Sequence, residues 1–264
     1  MRNNEIYYLV EGERFYFIGS HTYHVKKGSL VFVNRNEIHK TGMASSSYHD
    51  RILIEFTQEP FGSFFSQFGD MDVREFFQAH EGVLEIEPRE QAFVENLLME
   101  IQSEIHNKLP GYRLSVMSKL ASLLIYASRY SQRFQAPPTK SSSVARHQKV
   151  DLVADYITEH CSEDLSLETL ADHFYLNKCY LSRIFKEVTS FTVNEYINFH
   201  RINKAQKLLI KTNMSITDIA AECGYESLTY FEKVFKTFRE ISPLKYRAQY
   251  KESTRKRITK GDDL

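Results

Sequence analysis

The chain has 264 residues, 42% hydrophobic and 26% charged, with no net charge at neutral pH; this suits about two globular domains with real cores and excludes wholesale disorder. Three cysteines (Cys161, Cys179 and Cys223) without a CxxC pair argue against a disulfide framework or a zinc knuckle, and suit a reducing cytoplasm. The charge is uneven: residues 178–264 carry 17 Lys and Arg against 10 Asp and Glu, whereas residues 141–177 carry 2 against 7, so the basic end is the part suited to a polyanion.

The N-terminal "MRNNEIYYLV" lacks the basic-then-apolar layout of a signal peptide. The longest oily stretch, "LASLLIYAS", falls well short of the roughly 20 residues that span a bilayer. A cytoplasmic protein with no membrane partner is expected.

In chain order, "EIYYLVEG", "ERFYFIG", "TYHVKKGSLVFVN" and "RILIEF" are short β-rich runs punctuated by Gly, Asn and Ser, the pattern of a small antiparallel sheet or barrel. An irregular Phe-rich region, "PFGSFFSQFGDMDVREFF", follows. Residues 88–107 place Phe93, Leu97, Leu98, Ile101 and Ile105 at helical spacing. After "LPG", residues 111–133 carry Leu114, Met117, Leu120, Leu124 and Ala127 on one stripe and Val116 and Leu123 on another. A helix apolar on two faces packs against two things: its own domain, and either the preceding helix or another subunit.

"SQRFQAPPTKSSSVAR" has two prolines, three consecutive serines and no apolar period, and reads as a linker near 134–146. Beyond it the pattern is helical. Val150, Val153, Ile157 and Cys161 form one stripe; Ser166, Asn177, Ser215 and Ser227 are candidate caps; Thr192 and Glu195 spell a capping box that opens a helix to about Lys211. "SP" at 242–243 puts a cap and a first-turn proline on a last short helix.

The segment "YLSRIFKEV" (180–188) returns as "YFEKVFKTF" (230–238). Leu170-Ala171 aligns with Ile219-Ala220, Phe185-Lys186 with Phe235-Lys236, and Tyr196 with Tyr246. Each copy is a short helix, a tight turn and a longer helix, which is a helix-turn-helix unit. Phe185 and Phe235 belong to the buried stripes. The opposite faces carry Lys178, Cys179, Ser182, Arg183 and Lys186 in the first copy and Leu228, Thr229, Glu232, Lys233 and Lys236 in the second. Polar and basic residues early in such a helix reach base edges in a major groove, and lysines one turn later reach phosphates.

The stretch from about Leu165 to Arg247 resembles the DNA-binding domain of the AraC/XylS family of bacterial transcription regulators, through "LADHFYLNKCYLSRIFKE", "EYINFHRINKAQKLL", "ITDIAAECGYESLTYFEKVFK" and "SPLKYR". The resemblance implies two helix-turn-helix units reading an asymmetric site in double-stranded DNA near RNA polymerase, with activation favoured. Ser190 and Glu240 stand where the family usually has glycine after each longer helix; a left-handed backbone there costs each residue about 1 kcal/mol. Arg201 matches the common linker-helix arginine and is expected to be structural, pairing with Asp218.

"YHVKKGSLVFVNRNEIHKTG" resembles the second half of a cupin sensor domain, and "EIYYLVEGE" an early cupin strand. Relatives carry more chain before that strand, so this is either a short natural form or a barrel short of a wall. The helices at 88–133 match the region of dimer contacts in relatives. Glu5 and His39 are candidate contacts for a small-molecule effector, a sugar or another metabolite. A catalytic metal needs three or four converging ligands. His21 and His24 point to opposite faces if they share a strand, and His39 stands alone, so no metal, cofactor or enzymatic activity is expected.

The expectation is therefore an α+β chain: a cupin-like effector-binding and dimerisation domain (1–133), a linker (134–146), an all-α double helix-turn-helix domain (147–250) with a long joining helix, and a basic flexible tail (251–264). It describes an effector-responsive regulator acting as a homodimer. The alternatives are a metal-dependent cupin enzyme with an accessory helical domain, and an adaptor whose helices bind a protein partner.

Overall fold

The computed structural model describes residues 3–35, 37–44, 48–57, 61–62, 64–65, 71–134 and 144–250. Most of the expected linker, the tail 251–264 and part of the Phe-rich region lie outside these residues. The chain forms two compact units, Met1–Asp151 and Leu152–Leu264.

The first unit opens with six strands: β1 (Asn4–Glu11), β2 (Glu13–Ile18), β3 (His21–Lys26), β4 (Ser29–Val33), β5 (His39–Met43) and β6 (Asp50–Phe56). Helix α1 (Val73–Ala79), strand β7 (Gly82–Glu85) and helices α2 (Pro88–Asn107) and α3 (Tyr112–Phe134) follow. One antiparallel sheet has the order β6-β1-β4-β7 and the other β3-β2-β5. β1 reads as a nearly continuous apolar run because both of its faces are covered. Ile6 and Tyr8 join a core with Val94, Leu98 and Ile101 of α2 and Leu120, Leu123, Leu124 and Ala127 of α3. Tyr7 and Leu9 pack on Tyr16, Ile18, Tyr23 and Val25 of the other sheet. Gly28 turns β3 into β4 at φ +81°, and a Cβ there would lie 2.0 Å from the Gln91 side chain.

Three expectations for this unit change. The Phe-rich region is not wholly irregular: Asp72 caps α1 by accepting from the Arg74 and Glu75 amides, and Phe76 and Phe77 are buried. β5 and β7 have too little apolar alternation to stand out in the sequence; neighbouring strands recruit them. The buried stripe of α2 is Val94, Leu98 and Ile101, while Phe93 and Ile105 are about half exposed and Leu114 of α3 is 65% exposed. Equally hydrophobic positions lie on both sides of the helix pair, and only one side meets the sheet.

Helix α4 (Ala145–His160) buries Val150, Val153 and Ile157, with Cys161 buried just beyond. The second unit continues with α5 (Leu167–His173), α6 (Lys178–Thr189), α7 (Val193–Lys211), α8 (Ile216–Glu222) and α9 (Leu228–Arg239), and residues 243–250 are helical. Among the described residues no helix is long and apolar enough to cross a membrane.

Candidate nucleic-acid interface and ligand site

The two repeats fold alike, and local chemistry explains why. Ser166 starts α5 by accepting from the Thr169 amide, and Ser215 starts α8 by accepting from the Asp218 amide at 3.0 Å. In each turn a backbone amide reaches back to the alanine carbonyl of the short helix: Leu176 to Ala171 at 2.8 Å and Tyr225 to Ala220 at 3.0 Å. The residue before that amide is left-handed in both turns, Tyr175 at φ 53° and Gly224 at φ 81°. Glycine is required only in the second, where a Cβ would lie 2.5 Å from the Ser162 carbonyl oxygen. Asn177 and Ser227 then cap the longer helices α6 and α9.

Leu181, Ile184, Phe185 and Val188 of α6 are buried, as are Phe231, Val234 and Phe235 of α9. Phe238, one turn after Val234 and Phe235, is half-buried near the capped C-terminus of α9. Tyr196 packs on Phe185 with ring centroids 5.3 Å apart, and Tyr246 repeats this on Phe235 at 5.6 Å.

The predicted reading faces are accessible. Lys178, Cys179, Arg183 and Lys186 are exposed on α6 and Ser182 is half-buried. Leu228, Thr229, Glu232, Lys233 and Lys236 are exposed on α9. Lys178 is paired with Glu168 of α5, a contact that DNA phosphate would have to replace. The Arg183 guanidinium lies 5.9 Å from the centre of the Tyr180 ring.

α7 joins the two helix-turn-helix repeats. Its capping box is formed: the Thr192 amide donates to the Glu195 carboxylate at 2.8 Å and the Glu195 amide to the Thr192 hydroxyl at 3.2 Å. The bonds that the Thr192 amide and hydroxyl donate to it hold the Glu195 carboxyl below its ordinary pKa. Arg201 is held structurally, but not by Asp218. It donates to the carbonyls of Cys161 at 2.6 Å and Glu163 at 2.8 Å and lies over Tyr225, while Asp218 is taken by the Ser215 hydroxyl at 2.7 Å. Arginine spacing along the chain could not reveal backbone acceptors 40 residues away. The sequence reading also missed Asn198, which accepts from the Tyr225 hydroxyl at 3.0 Å and donates to the Tyr230 hydroxyl at 3.3 Å. It ties the second turn and α9 to α7.

In the first unit Glu5 and His39 are brought together, so His39 does not stand alone. Its Nε2 lies 3.1 Å from the Glu5 carboxylate, which also accepts from the Tyr16 hydroxyl. Burial opposes charge on Glu5, but the bonds from His39 and Tyr16 outweigh it and keep the carboxyl below its usual pKa. Burial likewise works against protonation of His39, and Glu5 outweighs it and raises the imidazole. His21 and His24 do share β3; His24 pairs with Glu13 at 2.8 Å. Among the described residues no three His, Cys, Asp or Glu side chains converge as a metal site would need.

Two family models match the chain in sequence order: an AraC-like ligand binding domain over residues 3–124 and a helix-turn-helix domain over residues 170–249. The regulatory protein PocR of Salmonella typhimurium is 33% identical over 47% of this chain and 41% of its own length. YfiF of Bacillus subtilis, named an uncharacterized HTH-type transcriptional regulator, is 27% identical over 94% of this chain and 78% of its own. This chain thus spans less than half of PocR. Among solved structures, the C-terminal domain of the response regulator AraT from Geobacillus stearothermophilus is 32% identical, with 40% of this chain and 88% of that one covered at a TM-score of 0.39. With the ligand-binding module followed by the helix-turn-helix module, the chain belongs to the AraC-type family of helix-turn-helix transcriptional regulators.

Proposed function

We propose that this regulator responds to a small-molecule effector bound in its N-terminal unit, forms a homodimer through α2 and α3, and activates transcription by placing its two reading helices on DNA beside RNA polymerase. The observation that carries the reading is the repeat itself. Two helices share a buried phenylalanine and the exposed lysine after it, yet present different side chains, Ser182 and Arg183 in one and Glu232 and Lys233 in the other. A shared scaffold with unlike outward faces suits two different words in one site. The exposed Phe93, Met99, Ile105 and Ile125 on the helix pair favour a second copy as their cover.

The test separates base reading from phosphate contact. Arg183→Ala is expected to relax preference at one base pair by about 1–3 kcal/mol. Lys186→Ala is expected to weaken all duplexes alike and to lower the slope of affinity against salt by about one counterion. Binding selections on randomised duplexes, repeated at several salt concentrations, read both. If Arg183→Ala leaves the selected sequence unchanged, α6 is not the reading helix in this orientation.

A further inference from the structure

The two sheets of the N-terminal unit share a free side. β5 and β6 are both edge strands. Cross-strand pairing places Arg51 opposite Leu9 and Leu53 opposite Tyr7, so both face the space between the sheets. Yet Arg51 is exposed and Leu53 is 40% exposed. The inner face is therefore open to solvent along β6 and closed deeper in, where Tyr7 is 1% exposed.

Two polar groups of that interior are without a geometric hydrogen-bond partner among the described residues. The Tyr7 hydroxyl is buried without a hydrogen-bond partner, and so is Nε of Arg14, which shares an inward face with Tyr16. Both Arg14 and Arg51 act electrostatically on the Tyr7 phenol; burial raises its pKa and the two guanidiniums pull against that. Arg51 lies 5.7 Å from the Tyr7 ring centre and bears on the phenol through its charge and its hydrogen-bonding nitrogens. The nearby Glu5 carboxylate is already engaged by His39 and Tyr16. Neither guanidinium has an ion pair among the described residues. Buried polar groups are ordinarily satisfied, so a buried phenol beside two guanidiniums without ion pairs, one with an unbonded Nε, is a site with room for a further partner.

We propose that this open side between the sheets takes a small carboxylate that carries hydroxyl groups, with its carboxylate between Arg14 and Arg51, its anionic oxygen accepting from Tyr7, and its hydroxyls on the Glu5–His39–Tyr16 cluster. The proposal rests on the ligand-sensing reading of this unit and names the ligand class. Guanidinium pairs bind carboxylate strongly and with fixed geometry. Glu5 has lone pairs left beyond those used by His39 and Tyr16, which suits ligand hydroxyl donors.

The probes are galacturonate and gluconate, with galactose and glucose as matched neutral sugars, on the full chain in calorimetry and thermal melting. At least one acid is expected to bind and raise the melting temperature, and the neutral sugars to do neither. Arg14→Gln and Tyr7→Phe are each expected to weaken the acid at least about tenfold. Tyr7→Phe is also expected to melt no lower than the parent without ligand, because the deleted hydroxyl has no partner, which separates a binding role from a structural one. Equal binding of the neutral sugars, unchanged affinity in Arg14→Gln, or no response to either acid overturns the proposal. DNA affinity measured on the same samples keeps the two readings apart. Sequence-specific DNA binding with no acid binding sinks only the ligand class, whereas folded protein with no specific DNA binding sinks the regulator itself.

Discussion

The residue after each reading helix shows how one side chain can carry a cost that the fold absorbs. Ser190 at φ 70° and Glu240 at φ 66° occupy the left-handed region, each closing its helix with a hydrogen bond from its backbone amide to the carbonyl of the lysine of the Phe-Lys pair. A Cβ in that region is strained, and glycine is not. The Ser190 position is exposed, so little else changes on substitution. Ser190→Gly is therefore expected to stabilise the protein by up to about 1 kcal/mol, less what glycine gains in unfolded-chain freedom. Urea melts of the two proteins read this directly, and a destabilised variant would show that the strain is not there. Tyr175 is a third non-glycine in this region, 95% exposed, in the turn where its counterpart is Gly224. The first turn accepts a side chain because it points into solvent; the second cannot, because Ser162 occupies the space.

At the scale of the element, α7 does more than join two units. Its buried side chains Tyr196 and Phe199 serve the first and second helix-turn-helix repeats in turn, and Asn198 and Asn203 bond to Tyr225, Tyr230 and Arg239 of the second repeat. In the middle sits His200, its ring tilted against Tyr196 with centroids 4.6 Å apart and its Nε2 buried and unbonded. Burial, with Lys207 adding, pushes its pKa down to about 4. The folded protein holds this imidazole neutral, whereas an unfolded histidine titrates near 6.5. Between those values the unfolded chain binds more protons, so stability from this group is complete above about pH 6.5 and is lost as the pH falls toward 4. His200→Phe is expected to narrow the gap in urea midpoint between pH 7.5 and pH 5. An identical gap in parent and variant would place the acid sensitivity elsewhere.

Across the whole molecule, spacing and charge decide how DNA is met. α7 has 19 residues, about 28 Å at ~1.5 Å per residue. Successive major grooves on one face lie about 34 Å apart. If both α6 and α9 seat in successive grooves, the shortfall is expected to be met by a bend of the duplex toward the protein, at a cost of a few kcal/mol. A circular-permutation gel shift is expected to show a bend when footprints of both units are present. Full footprints on straight DNA would mean the helices reach across without it.

The sequence alone determined the two-part plan, the double helix-turn-helix and its caps, and which side chains of α6 and α9 face outward. These are local properties: a 3.6-residue period, a capping side chain three residues from its amide and a repeat at fixed offset are all written within a turn or two of chain. Only the tertiary structure decided which side of the α2–α3 pair is core, because the periodicity of Phe93 and Ile105 is as good as that of Val94 and Leu98 until a sheet covers one face. It also decided that Arg201 serves two carbonyls and not Asp218, and that Glu5, Tyr16 and His39 meet while Tyr7 and Arg14 are left unsatisfied. Those groups come from strands whose pairing is non-local, and hydrogen-bond partners across a sheet sandwich are fixed by register, which no short window of sequence contains.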